Sequence, residues 1–268
     1  MELRLAEKKD LPRLTALWQE CFGDAPEEVN RFWSALFDKI QVFAAWERET
    51  PLSMLCALPL SLVDEMGESC PASYFYAVCT APKHRKQGLC AKLMRFAENT
   101  LKKQGIVFSC LVPAETELFS FYGALGYLPA FYHRHYSLPA AGSSAKITKI
   151  NHEAYQNLRQ MQLYGAFADY SLPLLRWQQT LGEKTGAGLY RIETSDGVYC
   201  AAAEKWGSTL QIKELLPDGP EAAAALGARL GCESVHVRTE GDEAPFGMAK
   251  ALSGEDIVHF SYLALAFD

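Results

Sequence analysis

Long apolar runs are missing from this 268-residue chain: nothing approaches the ~18 residues needed to span a bilayer. The opening MELRLAEKKD has acidic residues and no apolar core, so it does not read as a signal peptide. No membrane role is expected. Metal-ligand spacing is absent too. The eight cysteines, Cys21, Cys56, Cys70, Cys79, Cys90, Cys110, Cys200 and Cys232, include no C-x-x-C pair, and they read as buried thiols of a reducing cytoplasm. Positive charge is in short supply, 26 Lys and Arg against 32 Asp and Glu for a net charge of -6 and a pI near 5.6. Phosphate backbones need a clustered cationic face, so nucleic acid is not the expected partner.

What is present is ordinary for a globular protein, 49% hydrophobic and 22% charged residues. The length fits two compact domains. Leu3 to Leu5 alternates like a short strand. Asp10 followed by Pro12 predicts a capped helix running to about Phe22. Val29, Phe32, Trp33, Leu36 and Phe37 give Glu27 to Phe37 a helical apolar stripe. Gln41 to Trp46, Met54 to Leu62 and Ser73 to Thr80 read as strands. A loop, Ala81 to Gly88, precedes a helix over Leu89 to Lys103 that buries Leu93, Met94, Phe96, Ala97 and Leu101. Ile106 to Val112 is a buried strand, Glu115 to Leu125 a helix, and Phe131 to Leu138 an aromatic strand.

Pro139 to Ala145 is rich in small residues. The expected division is therefore a first domain over 1–138, a linker over 139–146 and a second domain over 147–268. In the second, helices near His152 to Tyr164 and Leu172 to Leu181 precede strands at Leu189 to Glu193, Val198 to Lys205 and Thr209 to Leu216. A helix at Glu221 to Leu230 and strands at Ser234 to Arg238 and His259 to Phe267 follow, an order that echoes the first half.

Chemistry concentrates after the fourth of the early strands. Val78-Cys79-Thr80 runs into Arg85-Lys86-Gln87-Gly88-Leu89-Cys90-Ala91 at a helix start. Helix N-termini carry unpaired N–H groups and partial positive charge, and a glycine allows close approach of an anion. A basic surface turn fits the same residues. The segment Arg85-x-x-Gly88-x-Cys90-Ala91 resembles the Q/R-x-x-G-x-G/A pyrophosphate loop of the GNAT (GCN5-related N-acetyltransferase) superfamily. Leu111-Val112-Pro113-Ala114-Glu115, continuing through Leu118-Phe119-x-Phe121-Tyr122 to Gly126-Tyr127, is similar to that family's second signature. The likeness covers roughly residues 1–138.

The resemblance implies an α/β (α+β mixed-sheet) GNAT fold, with two GNAT-like domains in tandem and a second half lacking the loop. It implies acetyl-CoA as acyl donor. The backbone of Val78, Cys79 and Thr80 would pair with pantetheine, the N–H groups from Lys86 to Ala91 would wrap the pyrophosphate, and Tyr122 would be the general acid that protonates the leaving thiolate. Cys90 stands where the family has Gly or Ala, and Glu115 where it often has Asn. Glu115 reads either as a base or as a helix cap. The acceptor would be a small-molecule or peptide amine, its cleft shaped by Tyr164, Phe167, Tyr170 and Trp177, and a homodimer is left open. The alternative is a non-catalytic acyl-CoA-binding or protein-interaction module with a degenerate site. His84, His133 and His135 read as structural, Cys79 and Cys90 as weak nucleophile candidates, and terminal Asp268 as an edge-strand end or a base.

Overall fold

The computed structural model describes residues 1–254 and 262–267. In order the elements are β1 (Glu2–Leu5), α1 (Leu11–Phe22), α2 (Pro26–Leu36), β2 (Gln41–Glu47), β3 (Thr50–Val63), β4 (Ser69–Thr80), α3 (Leu89–Lys103), β5 (Phe108–Leu111), α4 (Glu117–Gly123) and β6 (Leu128–Pro139). β7 (Lys146–Ile150), α5 (His152–Gln162), β8 (Phe167–Tyr170), α6 (Leu172–Lys184), β9 (Gly188–Glu193), β10 (Val198–Trp206), β11 (Thr209–Leu216), α7 (Pro220–Arg229) and β12 (Ser234–Ala251) follow.

The described residues fall into two compact units that interleave along the chain, 1–62, 69–129 and 247–254 in one, 63–68, 130–246 and 262–267 in the other. This partition by contact is a different one from the composition-based bounds at 138 and 147. Pro139 ends β6 and Lys146 starts β7, while the N–H groups of Ala140 and Ala141 donate to the carbonyls of Glu233 and Ala224 at 2.9 and 3.1 Å.

In the first unit β1, β2, β3, β4 and β5 are neighbours in that order, and the last residues of β12 complete the row beside β5. β4 and β5 run parallel and pair only over Ala72–Tyr74 with Phe108–Cys110. α3 is the crossover between them, as a parallel pair requires. Its apolar stripe, Leu93, Met94, Ala97 and Leu101, packs into a core with Phe43, Phe75, Leu111, Tyr122, Tyr127 and Met248. Glu98, on the same buried face, accepts from the Tyr127 hydroxyl at 3.1 Å and from Lys250 Nζ at 2.6 Å, so its charge is compensated.

The second unit repeats the order. β7 and β9 are antiparallel as β1 and β2 are, β9 and β10 follow suit, and β11 and β12 form a parallel pair bridged by α7 as β4 and β5 are by α3. α7 covers a core of Ile192, Tyr199, Ala201, Leu210, Ile212, Leu226, Val235 and Val237. α5 supplies a buried charge on another side: Arg159 donates from Nε to Glu214 at 2.9 Å and from Nη2 to the Ala168 carbonyl at 2.9 Å, and Tyr155 donates to the same carboxylate at 2.5 Å.

Several expectations need correction. Asp10 stands at the N-cap of α1, but its carboxylate pairs with Arg4 at 2.7 Å and accepts the Glu7 N–H at 2.8 Å instead of capping that helix. The helix expected over Glu115 to Leu125 is shortened to α4, and Gly126, at φ 92°, turns the chain after it. β12 runs far beyond Arg238, and β7 and β8 add two strands. The strand expected at His259 to Phe267 lies partly outside the described residues. Of the remainder, Tyr262 makes one parallel bridge to Phe167, and Leu263 to Phe267 are buried without strand pairing. Polar side chains satisfy that backbone: Arg238 Nη1 donates to the Ala264 carbonyl at 2.8 Å, and the Leu265 N–H donates to the Tyr170 hydroxyl at 3.1 Å. An apolar run here reflects burial, not a ladder.

Arg159→Met should strand the Glu214 carboxylate in the second unit and lower unfolding free energy by about 3–5 kcal/mol in denaturant titration. Adding Glu214→Leu should recover part of that loss; equal stability of Arg159→Met and the native chain would contradict the pairing.

Candidate functional site

β4 is interrupted near its end by Ala77, whose φ of 50° lies in the left-handed region that residues with a Cβ seldom visit. Past Tyr74 the strand no longer pairs with β5, so its final residues run beside the start of α3 without a parallel partner. Val78 is half-buried against the first unit's core; Cys79 and Thr80 are buried. Part of this backbone is already engaged. Ser53 Oγ donates to the Cys79 carbonyl at 2.6 Å, and the Thr80 carbonyl accepts Arg85 Nε at 3.1 Å and the Cys21 thiol at 3.5 Å.

The connecting loop folds as a short turn over Pro82–His84 and then passes through Lys86 and Gly88, both left-handed at φ 61° and 72°. Alternation of backbone hand turns successive N–H groups toward one side and makes an anion-binding concavity. Gly88 is the N-cap of α3 and, being glycine, supplies no capping side chain. The N–H groups at the helix start, Leu89, Cys90 and Ala91 among them, therefore lack intrahelical acceptors. Lys83, Arg85, Lys86 and Gln87 are exposed around them. His84 is half-buried in the same turn.

Cys90 packs with Val78 against the core that holds Tyr122, and burial pushes its thiol up to about 11. Its side chain therefore points inward, away from the loop's outer surface. Tyr122 is itself buried, and burial, with the Cys90 and Cys79 thiols nearby, raises its phenol above the usual range, so it keeps its proton at neutral pH. Phe121 and Tyr127 flank it with ring centroids at 5.1 and 6.0 Å. The structure thus brings Val78, Cys79, Cys90 and Tyr122 together and sets the loop at the same strand end. Glu115 does not join them. It is exposed, one residue ahead of the α4 N-cap Thr116, and makes no side-chain cap to that helix.

Cys21 escaped sequence reasoning. On α1, its thiol donates to the Thr80 carbonyl, and the neighbouring Cys79 and Arg85 lower it to about 7, while the buried Cys79 is raised. Nothing in local sequence announces a contact between residues on different elements. Tyr170 and Trp177, expected to line an acceptor cleft, are buried inside the second unit, whereas Tyr164 is exposed. Asp268 lies outside the described residues. No group of three metal-ligating side chains occurs among the described residues, and none of their helices is long and apolar enough to cross a membrane.

Residues 2–130 match the acetyltransferase (GNAT) domain model. No curated protein matches the chain. Its fold is similar to that of a conserved protein of unknown function from Enterococcus faecalis V583, at TM-score 0.72 and 18% identity over 94% of this chain and 72% of that one. A GCN5-related N-acetyltransferase from Anabaena variabilis is similar at TM-score 0.72 and 15% identity, over 94% and 73%. One from Kribbella flavida is similar at 0.68 and 16%, over 92% and 70%. At such identities the likeness is one of fold.

Iodoacetamide should label Cys21 well before Cys90, with a Cys21 rate that is half-maximal near pH 7 because the thiolate is the nucleophile. Peptide mapping after timed labelling checks this. A Cys21 rate still climbing steeply above about pH 9 would contradict the Cys79 and Arg85 contacts.

Proposed function

Because residues 2–130 form an acetyltransferase domain of the GNAT superfamily and the chain has the GNAT fold, we propose that it is an N-acetyltransferase that moves an acetyl group from acetyl-CoA to an amine. One observation carries the reading: an uncapped, glycine-led helix start lies directly after a strand whose last residues have parted from their parallel neighbour. An N-terminus of that kind favours phosphate, and the free side of β4 offers backbone groups to an extended amide chain such as pantetheine.

In this scheme Arg85, Lys86, Gln87, Gly88, Leu89, Cys90 and Ala91 hold the pyrophosphate, mostly through main-chain N–H groups. Cys90 keeps that role because its side chain packs inward. Val78, Cys79 and Thr80 align the pantetheine arm. Since the Cys79 and Thr80 carbonyls already accept from side chains, Val78 and the strand's N–H groups carry most of that pairing. The amine attacks the thioester carbonyl carbon directly. The tetrahedral intermediate collapses with cleavage of the C–S bond, and the departing thiolate takes the Tyr122 proton. Glu115, exposed and apart from the Tyr122 cluster, takes up the proton lost by the amine through solvent rather than by direct contact. Residues 1–138 are the donor-binding domain, joined through 139–146 to a second GNAT-like domain over 147–268. The acceptor class is a small-molecule or peptide amine.

Calorimetric titration with acetyl-CoA should show one site. Gly88→Trp should weaken it by at least about tenfold, since the new ring fills open space at the helix start. With an amine acceptor, Tyr122→Phe should lower kcat by about 10²-fold and leave acetyl-CoA affinity unchanged. Binding without turnover, indifferent to Tyr122→Phe, would replace the enzyme by a non-catalytic acyl-CoA-binding module. Absence of binding by the native chain would overturn both.

A further inference from the structure

Two thiols meet at the end of β4, one from α1 and one from the strand itself. Strand alternation places the second. Phe75 and Val78 pack into the core beneath α3, while Tyr76 turns to the opposite side, its ring 5.8 Å from that of Trp18 and 5.6 Å from that of Phe32. Ala77, in its left-handed conformation, takes the extra place between them, as the added residue of a bulge does. Cys79, next after Val78, therefore returns to the Tyr76 side and faces α1.

Helix geometry places the first. Cys21 lies three residues beyond Trp18 on α1 and so shares its face. Its thiol reaches the strand end and donates to the Thr80 carbonyl at 3.5 Å. That carbonyl also accepts Arg85 Nε at 3.1 Å, and Ser53 Oγ donates to the Cys79 carbonyl at 2.6 Å, so the main chain behind Cys79 is fixed.

The two sulfurs differ as an attacking and a resolving thiol must. Cys21 is half-buried, within reach of a small oxidant, and Cys79 is buried. Cys79 and Arg85 hold the Cys21 thiol down at about 7, so a substantial share is thiolate at neutral pH, the form that reacts with peroxides. Cys21 and then burial push the Cys79 thiol up, so it keeps its proton. Burial also raises the thiols of Cys56, Cys90, Cys110, Cys200 and Cys232, which sets Cys21 apart from them.

We propose that Cys21 and Cys79 form a dithiol modification site, oxidised by hydrogen peroxide to a disulfide that ties α1 to the end of β4. The Cys21 thiolate attacks one peroxide oxygen, the O–O bond breaks, and the departing hydroxide takes up a proton, giving water and a sulfenic acid on Cys21. The negative charge that kept the Cys79 proton in place is then gone. The Cys79 sulfur attacks the sulfenic sulfur, the S–O bond breaks, and the hydroxide leaves with the Cys79 proton as a second water. Two thiols lose two electrons and one peroxide gains them. A disulfide holds its sulfurs about 2.05 Å apart, closer than unbonded sulfurs lie, so its formation draws the strand end toward α1. The Thr80 carbonyl loses its thiol donor in the same step. Resting on the reading of Val78 to Thr80 as the pantetheine strand, the oxidised chain binds acetyl-CoA more weakly than the reduced one.

The test treats the full chain with a small excess of hydrogen peroxide and maps its peptides without reduction. One bridge, Cys21 to Cys79, should appear and should revert with dithiothreitol. In Cys79→Ala, which keeps that position apolar, the sulfenic acid on Cys21 should persist and be trapped by dimedone. Calorimetry should show acetyl-CoA bound at least about threefold more weakly by the oxidised chain, with peroxide leaving the affinity of Cys21→Ser unchanged. Cys21 left reduced, or oxidised without joining Cys79, would overturn the site. A mapped bridge that leaves acetyl-CoA affinity unaltered would overturn its effect on binding. A reduced chain with no affinity for acetyl-CoA would defeat the cofactor reading instead, and the peptide map would still decide the thiol pair.

Discussion

β4 and β5 share only three residue pairs before β4 runs on alone, and the candidate site is built on that early parting. A parallel pair must be bridged by a crossover helix, so ending the pairing early leaves a strand end with unused main-chain groups directly ahead of a helix N-terminus. Ala77 accentuates the break with a left-handed backbone. Ser53, Cys21 and Arg85 then hold the strand end from one side by donating to the Cys79 and Thr80 carbonyls. The Arg85 to Ala91 loop and the buried Tyr122 take their positions from that same strand end.

The second unit applies the same scaffold to a different electrostatic end. Both units place a helix between two parallel strands and bury an apolar stripe beneath it. In the first, the helix start is glycine-led, uncapped and ringed by basic residues. In the second, acidic residues occupy the helix start and cations stand on the strand face. A shared architecture therefore does not carry the same helix start from one unit to the other. Buried charge is compensated in both, Glu98 by Lys250 in one and Glu214 by Arg159 in the other.

How much of this was legible depended on how local the signal was. α3 begins and ends where its apolar stripe and flanking glycines indicate, and the Arg85 to Ala91 loop precedes it as read. β12 was cut short at Arg238 because Gly241, Asp242, Glu243 and Pro245 look like turn residues; pairing with other strands overrides that composition. Leu263 to Phe267 read as a strand because continuous burial and strand pairing leave the same apolar pattern. Cys90, which stands where the family has Gly or Ala, packs inward, a fact visible only in the folded chain. Tyr170 and Trp177 looked like lining and turned out to be core, while His133 and His135, read as structural, line a cavity whose other walls come from distant strands. Contacts across elements, such as Cys21 with Cys79, have no signature in a single chain segment.

The measurement that bears most directly on the central claim is amide chemical-shift mapping of the isotopically labelled chain during titration with acetyl-CoA. The largest shifts should fall at the N–H groups of Lys86 to Ala91, with a second set along Val78 to Thr80. Shifts confined to other strands, with the α3 start unmoved, would contradict it.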